Sequence, residues 1–186
     1  MSAIIDAKEE REVAVVDIPN AFIQTDNEKL KSHHERDVMK VKGRLADMLV
    51  EIDPELYGPF LTKENGMSVL YLEILKAMYG MMVSPLLFYW KLRKDLEKIG
   101  FKVNPYDSCV ANKMINGQQF TILWHVDDLK ISHKDKKVVD QFIEWAKKKY
   151  EDSHITKLKA SRGKVHDYLG ITLDYSKTGV VKLYTV

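Results

Sequence analysis

A chain of 186 residues, 45% hydrophobic and 30% charged, has the length and apolar content for one domain with a real core. Its formal charge of +2 neither requires nor forbids a nucleic-acid partner, because a local groove matters more than the sum. The one cysteine, Cys109, excludes an internal disulfide framework and a cysteine-rich zinc site. No apolar run reaches the roughly 18 residues a transmembrane helix needs, and the N-terminus carries no apolar targeting core. A membrane partner and secretion are therefore not expected, and the compartment reads as cytoplasmic or nuclear.

Residues 4–12 are charged and predict a helix. Val13 to Val16 predict a buried strand that ends at Asp17, with Pro19 stopping regular pairing. Residues 24–37, with His33 and His34, read as a loop or short helix, and Val38 to Val50 as strand then helix without a clear border. Asp53-Pro54 and Gly58-Pro59 mark turns, and Ser68 to Leu75 reads as a strand or the start of a helix. Ser84-Pro85 predicts a helix start, capped by serine, with Leu86, Leu87, Tyr89, Trp90, Leu92, Leu96 and Ile99 on its buried face and Gly100 as its stop. A strand near Cys109 to Met114, an Asn116-Gly117 turn and a strand from Gln119 to Val126 predict a hairpin. Lys134 to Tyr150 predicts a basic amphipathic helix with Val138, Phe142, Ile143 and Ala146 inward. Residues 151–164 are polar and basic, and Tyr168 to Leu173 with Val180 to Tyr184 predicts a closing hairpin around Lys177-Thr178-Gly179. This order predicts an α+β sandwich, with helices packed on one face of an antiparallel sheet.

Two strand ends carry acids: Asp17 after the first strand, and Asp127-Asp128 within Phe120 to Ile131. Adjacent carboxylates cost β-propensity and repel each other, which a tight turn tolerates and a divalent cation turns to use. Two acidic strand ends suggest a two-metal phosphoryl-transfer centre, if the fold brings them together. Aspartates that merely terminate strands give the same pattern. The histidines, His33, His34, His125, His133, His154 and His166, have no zinc-site spacing.

Four blocks occur in one order: Asp17-Ile18-Pro19-Asn20-Ala21-Phe22; Leu75-Lys76-Ala77-Met78-Tyr79-Gly80 followed by Ser84-Pro85 and Phe88-Tyr89-Trp90-Lys91-Leu92; His125-Val126-Asp127-Asp128; and Asp167-Tyr168-Leu169-Gly170-Ile171. Together they resemble the reverse transcriptase domain of Ty1/copia-type retrotransposons, its palm in particular. The resemblance implies a single palm-like domain over residues 1–186, an RNA-directed DNA polymerase activity, Mg²⁺ or Mn²⁺ as cofactor, and a template-primer with deoxynucleoside triphosphates as partners. Asp17, Asp127 and Asp128 would be the catalytic acids, with the Ile18 carbonyl joining them at the metals. Phe22 would lie under the nucleotide's sugar, Tyr79 and Gly80 would form the nucleotide-facing turn, and Lys157 or Lys159 would lie near the triphosphate. Tyr168-Leu169-Gly170 would lie near a primer-gripping hairpin. Lys147, Lys148, Lys149, Arg162 and Lys164 are further candidates for phosphate contact.

The chain departs from that pattern in three ways. Few residues precede Asp17, so most of the fingers is expected to be missing; no thumb is expected after the last strand; and His125 stands where the family commonly has tyrosine. An isolated chain of this kind is expected to fold and bind metal weakly, with little polymerisation. Two other classes share the acids: a nucleotidyl cyclase-like palm enzyme, which should lack the Tyr79-to-Pro85 block, and an inactive palm remnant that binds nucleic acid or assembles. Exposed strand edges would favour self-association.

Overall fold

The computed structural model of the chain describes residues 1–27, 37–151 and 157–185. The four-residue-and-longer helices are α1 (Ser2–Lys8), α2 (Arg44–Ile52), α3 (Pro54–Tyr57), α4 (Ser84–Lys98) and α5 (Lys136–Tyr150). Among the described residues the largest sheet is antiparallel, in the order β5 (Lys102–Val103), β6 (Val110–Ile115), β7 (Gln118–His125), β8 (Asp128–His133), β1 (Glu12–Asp17), β9 (Lys159–Arg162). A small sheet joins β2 (Val38–Lys42), β4 (Met67–Glu73) and β3 (Thr62–Glu64), and another joins β10 (Val165–Tyr168), β11 (Ile171–Asp174) and β12 (Lys182–Thr185). The architecture is α+β, with helices packed on antiparallel sheet.

Strand alternation decides which side faces the core. Ala14, Val16, Leu129 and Ile131 point to one face of the main sheet and form one core with Leu92 and Leu96 of α4 and Val139, Phe142 and Ile143 of α5. The other face is not bare, contrary to the expectation of helices on one face only. There Val13 packs with Ala7 of α1 and with Leu173 and Tyr175, and Lys130 of β8 pairs with Asp6 of α1. Those contacts cover the lower part of that face, below Asp17 and Asp128.

The two long helices match their predicted spans closely, for different reasons. In α5 all four expected inward residues are buried, and Asp135 caps the start by accepting the Lys137 N–H. In α4 the predicted face is rotated. Phe88 is fully buried, whereas Leu86 and Trp90 are exposed. Ser84 is not the cap: Val83 holds that position, and the Ser84 hydroxyl donates to the Met78 carbonyl at 2.6 Å, tying the helix start to the preceding turn. Gly100, at φ +89, ends α4 as expected, with its N–H on the Glu97 carbonyl.

Other differences follow from local chemistry. Asp53-Pro54 and Gly58-Pro59 begin short helical turns rather than interrupting structure, because Asp53 accepts the Leu56 N–H and each proline sits in a first turn. β9 was not anticipated, since Lys159-Ala160-Ser161-Arg162 has no apolar run; it adds to β1 as a polar edge strand. The closing hairpin is β11–β12, with Tyr168 in β10 and Leu169-Gly170 as a second two-residue turn rather than a bulge. His33, His34 and His154 lie outside the described residues. Among the described residues no helix is long and apolar enough to cross a membrane.

α4 and α5 are locked together through Asp95. Its carboxylate accepts from Lys91 at 2.8 Å, from the Tyr150 hydroxyl at 3.0 Å, and lies 3.2 Å from the Lys149 ammonium. Burial pushes this carboxyl up, but Lys91, Tyr150 and Lys149 outweigh it and hold it below its ordinary value. A depressed carboxylate stabilises the fold above its unfolded pKa, near 3.8, and that contribution disappears as pH falls through the folded value. Asp95→Asn should therefore lower the urea midpoint at neutral pH and flatten its fall below about pH 4. Parallel acid limbs for the two proteins would contradict this.

Candidate catalytic site

β1 and β8 run antiparallel in a register that sets Asp17 directly opposite Asp128. Directly opposed residues project to the same face, so two carboxylates from segments far apart in sequence become neighbours. The Ile18 N–H donates to the Asp127 carbonyl at 3.0 Å, which fixes the end of β1 against the β7–β8 turn. That turn holds two residues, Val126 and Asp127, between the paired His125 and Asp128. Val126 has φ +56, a left-handed conformation that a β-branched side chain rarely takes. On the other side of β1, Lys159 of β9 is opposite Asp17.

The charges feel one another. Burial raises the Asp128 carboxyl above its ordinary value, and the charges of Asp127 and Asp17 raise it further, with His125 partly offsetting them. The Tyr79 phenol is raised by burial and then by the charges of Asp127 and Asp17. Tyr168 of β10 is pushed up to about 12, by burial first and then by Asp128 and Cys109. Tyr168, which the resemblance placed near a primer-gripping hairpin, thus feels the charge of Asp128.

Phe22 and Tyr79 form an aromatic pair with ring centroids 4.5 Å apart. Phe22 opens a 3-10 turn just after β1 and is buried, whereas Tyr79 is exposed. A backbone clamp aligns them: the Ala77 N–H donates to the Thr25 carbonyl and the Asn27 N–H to the Leu75 carbonyl, both at 2.9 Å. Gly80 follows at φ +96, and a Cβ there would meet nothing within 4 Å. Glycine is thus required by the backbone, not by crowding. Gly80→Ala should cost roughly 1–3 kcal/mol of stability through that strain, read from urea unfolding. An unchanged midpoint would mean that the turn relaxes freely.

The fold therefore gathers Asp17, Ile18, Phe22, Tyr79, Gly80, Asp127 and Asp128 at one end of the sheet, with Lys159 across from Asp17. Lys157 is exposed and no ion pair among the described residues engages it or Lys159. Among the described residues, no group of three or more His, Cys, Asp or Glu side chains stands drawn together as a metal site. The donor chemistry nevertheless suits a hard cation: carboxylate oxygens, mutually repelling, with Asp128 raised by its acidic neighbours. A groove of about 670 Å³ between Gln24–Asp26 and the outer face of α4 contains none of these residues.

The sequence profile of the reverse transcriptase (RNA-dependent DNA polymerase) family matches residues 51–185, and the chain belongs to that family. Tyr79, Gly80, Lys157, Lys159, Asp127 and Asp128 fall inside the matched span, while Asp17, Ile18 and Phe22 precede it. No curated protein matches the chain. Among solved structures it is similar to apo telomerase from Candida tropicalis, at 16% identity and TM-score 0.47, over 97% of this chain and 35% of that one. It is also similar to the same telomerase truncated from its C-terminal domain, at 13% identity and TM-score 0.49, over 100% of this chain and 38% of that one. The chain thus spans little more than a third of either telomerase chain.

Proposed function

We propose that the chain is the palm-like part of a Ty1/copia-type reverse transcriptase, acting with Mg²⁺ or Mn²⁺ on a template-primer and deoxynucleoside triphosphates in the cytoplasm or nucleus. The observation that carries this reading is the register that opposes Asp17 to Asp128 while the turn holds Asp127 against Ile18. In the reaction the primer 3′-hydroxyl attacks the α-phosphate and pyrophosphate leaves. Bound divalent cations supply a lowered hydroxyl pKa and charge neutralisation at the phosphates. Asp17 and Asp127 would hold them, with the Ile18 carbonyl, and Asp128 would add negative charge beside them.

The other residues divide the remaining work. The Phe22 ring, braced by Tyr79, makes a flat apolar floor that crowds a ribose 2′-hydroxyl and leaves a deoxyribose free. Tyr79 and Gly80 form the turn facing the nucleotide. Lys159, in register with Asp17, puts a cation near the acids to meet the triphosphate, and Lys157 lies two residues before it. On this reading the chain alone binds metal but extends primers poorly.

A second reading is an inactive palm remnant that binds nucleic acid or assembles. In its favour, among the described residues the carboxylates are not drawn into a three-ligand group. Mn²⁺ titration by calorimetry separates the two. The chain should bind Mn²⁺, and a folded Asp17→Asn/Asp127→Asn variant should not. Equal heats for both, or none for either, would leave the inactive reading.

A further inference from the structure

The groove of about 670 Å³ on the outer face of α4 takes no part in the proposed nucleotidyl transfer. Val16 and Leu129 share a core with α4, so strand alternation turns Asp17 and Asp128 to the opposite face of the sheet. The groove therefore lies behind the sheet, away from the acids. Its volume is within the roughly 300–1,000 Å³ of ligand sites.

Its charge is decided by pairing. Three acids line it, and each is met by a cation: Asp26 by Lys76, Asp95 by Lys91 at 2.8 Å and Lys149 at 3.2 Å, and Glu97 by Arg93 at 2.9 Å. Lys94 and Lys98 also line the groove and are exposed. Neither has an ion pair or a side-chain hydrogen bond among the described residues. Two ammoniums are thus left to face a ligand.

Trp90, Lys94 and Lys98 are spaced i, i+4, i+8, which puts them on one side of α4. The Trp90 ring is 41% exposed in the groove, with the Arg93 guanidinium 5.4 Å from its centre. On the facing wall Thr25 is only 7% exposed, and its hydroxyl has no hydrogen-bond partner among the described residues. A buried hydroxyl without a partner is costly, and a polar ligand group at the groove would relieve that cost.

We propose that this groove holds a stretch of single-stranded nucleic acid, with a base on Trp90 and successive phosphates on Lys94 and Lys98. Strand sites without sequence preference combine aromatic platforms with cations in this way. A duplex keeps its bases stacked inside and offers the indole no free base face. An acidic peptide would answer the lysines but not the ring. The site uses no residue of the proposed nucleotidyl-transfer centre and stands if that reading falls.

Fluorescence anisotropy tests this with labelled single strands of about 12 nucleotides, one of DNA and one of RNA. EDTA is present, so that no metal-dependent binding at the acids contributes. Saturable binding of either strand is expected, and the tighter one identifies the sugar. Lys94→Gln/Lys98→Gln should weaken binding at least tenfold at low salt. It should also lower the slope of log affinity against log salt by about 1.4, the share of two phosphates in a single strand. Trp90→Ala should weaken binding about fivefold or more and leave the slope unchanged, because stacking releases no counterions. Lys136→Gln/Lys137→Gln on α5 removes the same charge elsewhere and should leave affinity and slope unchanged. The lysines are exposed, so circular dichroism should show those variants folded. If Trp90→Ala unfolds, the two lysine pairs decide. No saturable binding, equal losses for the two lysine pairs, or equal displacement by polyglutamate overturns the proposal. So does undiminished binding in the groove variants; the strand then sits elsewhere, and the nucleotidyl-transfer reading is still tested separately by the Mn²⁺ titration.

Discussion

Replacing Lys130 by alanine should destabilise the fold by about 3–5 kcal/mol, the usual consequence of leaving one buried charge without its partner. Lys130 and Asp6 are 2% and 1% exposed at their side chains, and they pair across the interface between β8 and α1. Removing the ammonium strands the Asp6 carboxylate where water cannot reach it. The Tyr175 phenol beside it is already pushed up by burial and by the Asp6 charge, so that neighbourhood resists further negative charge. Asp6→Asn/Lys130→Met, which removes both charges and keeps most of the volume, should recover most of the loss. Urea unfolding of the three proteins reads this directly. A loss under about 1 kcal/mol for Lys130→Ala would mean that water enters and solvates Asp6.

The second large effect concerns the acids, and it should be graded. Asp17→Asn or Asp127→Asn alone should weaken Mn²⁺ binding beyond the roughly 10–100-fold that outer partners of a metal site cost. Asp128→Asn should weaken it less. Asp128 should also respond with the opposite sign in the metal-free protein. Its carboxyl is raised by burial and by Asp127 and Asp17, so its ionised form is disfavoured in the fold. A raised carboxylate lowers stability at neutral pH, and the penalty is relieved as pH falls through the folded value. Asp128→Asn should therefore raise the metal-free urea midpoint at pH 7 while reducing Mn²⁺ affinity. If it lowers both, Asp128 is a structural acid rather than the charge placed beside the metals.

Much of the sheet is written locally. Apolar alternation from Phe120 to Ile131 and the Asn116-Gly117 turn identify β6 to β8, because these strands are sequential and each has one buried face. α5 is legible for the same reason: its inward residues repeat at helical spacing and meet a single core. What was not legible depends on partners distant in sequence. The opposition of Asp17 and Asp128 is a register, and neither strand carries it alone. β9 is invisible because what holds its four residues, backbone pairing with β1 and contacts such as Arg162 with Asp140, lies far away in sequence. The turned face of α4 was misread because Trp90 and Leu86, apolar by type, lie on the solvent side, while Phe88 takes the core. Phe22 and Tyr79 were each singled out from resemblance, but their ring contact requires the clamp between residues 25–27 and 75–77.

The left-handed backbone at Val126 bears on how such a chain changes over generations. At residues 126 to 128 a β-branched side chain sits in a conformation that glycine would adopt without strain, next to acids that repel one another. Substitutions here that remove a charge or admit glycine relax the fold. Random drift at this hairpin is therefore thermodynamically downhill, toward a sturdier turn with fewer acids. The Asp127-Asp128 pair beside a strained valine is the less stable of the two arrangements.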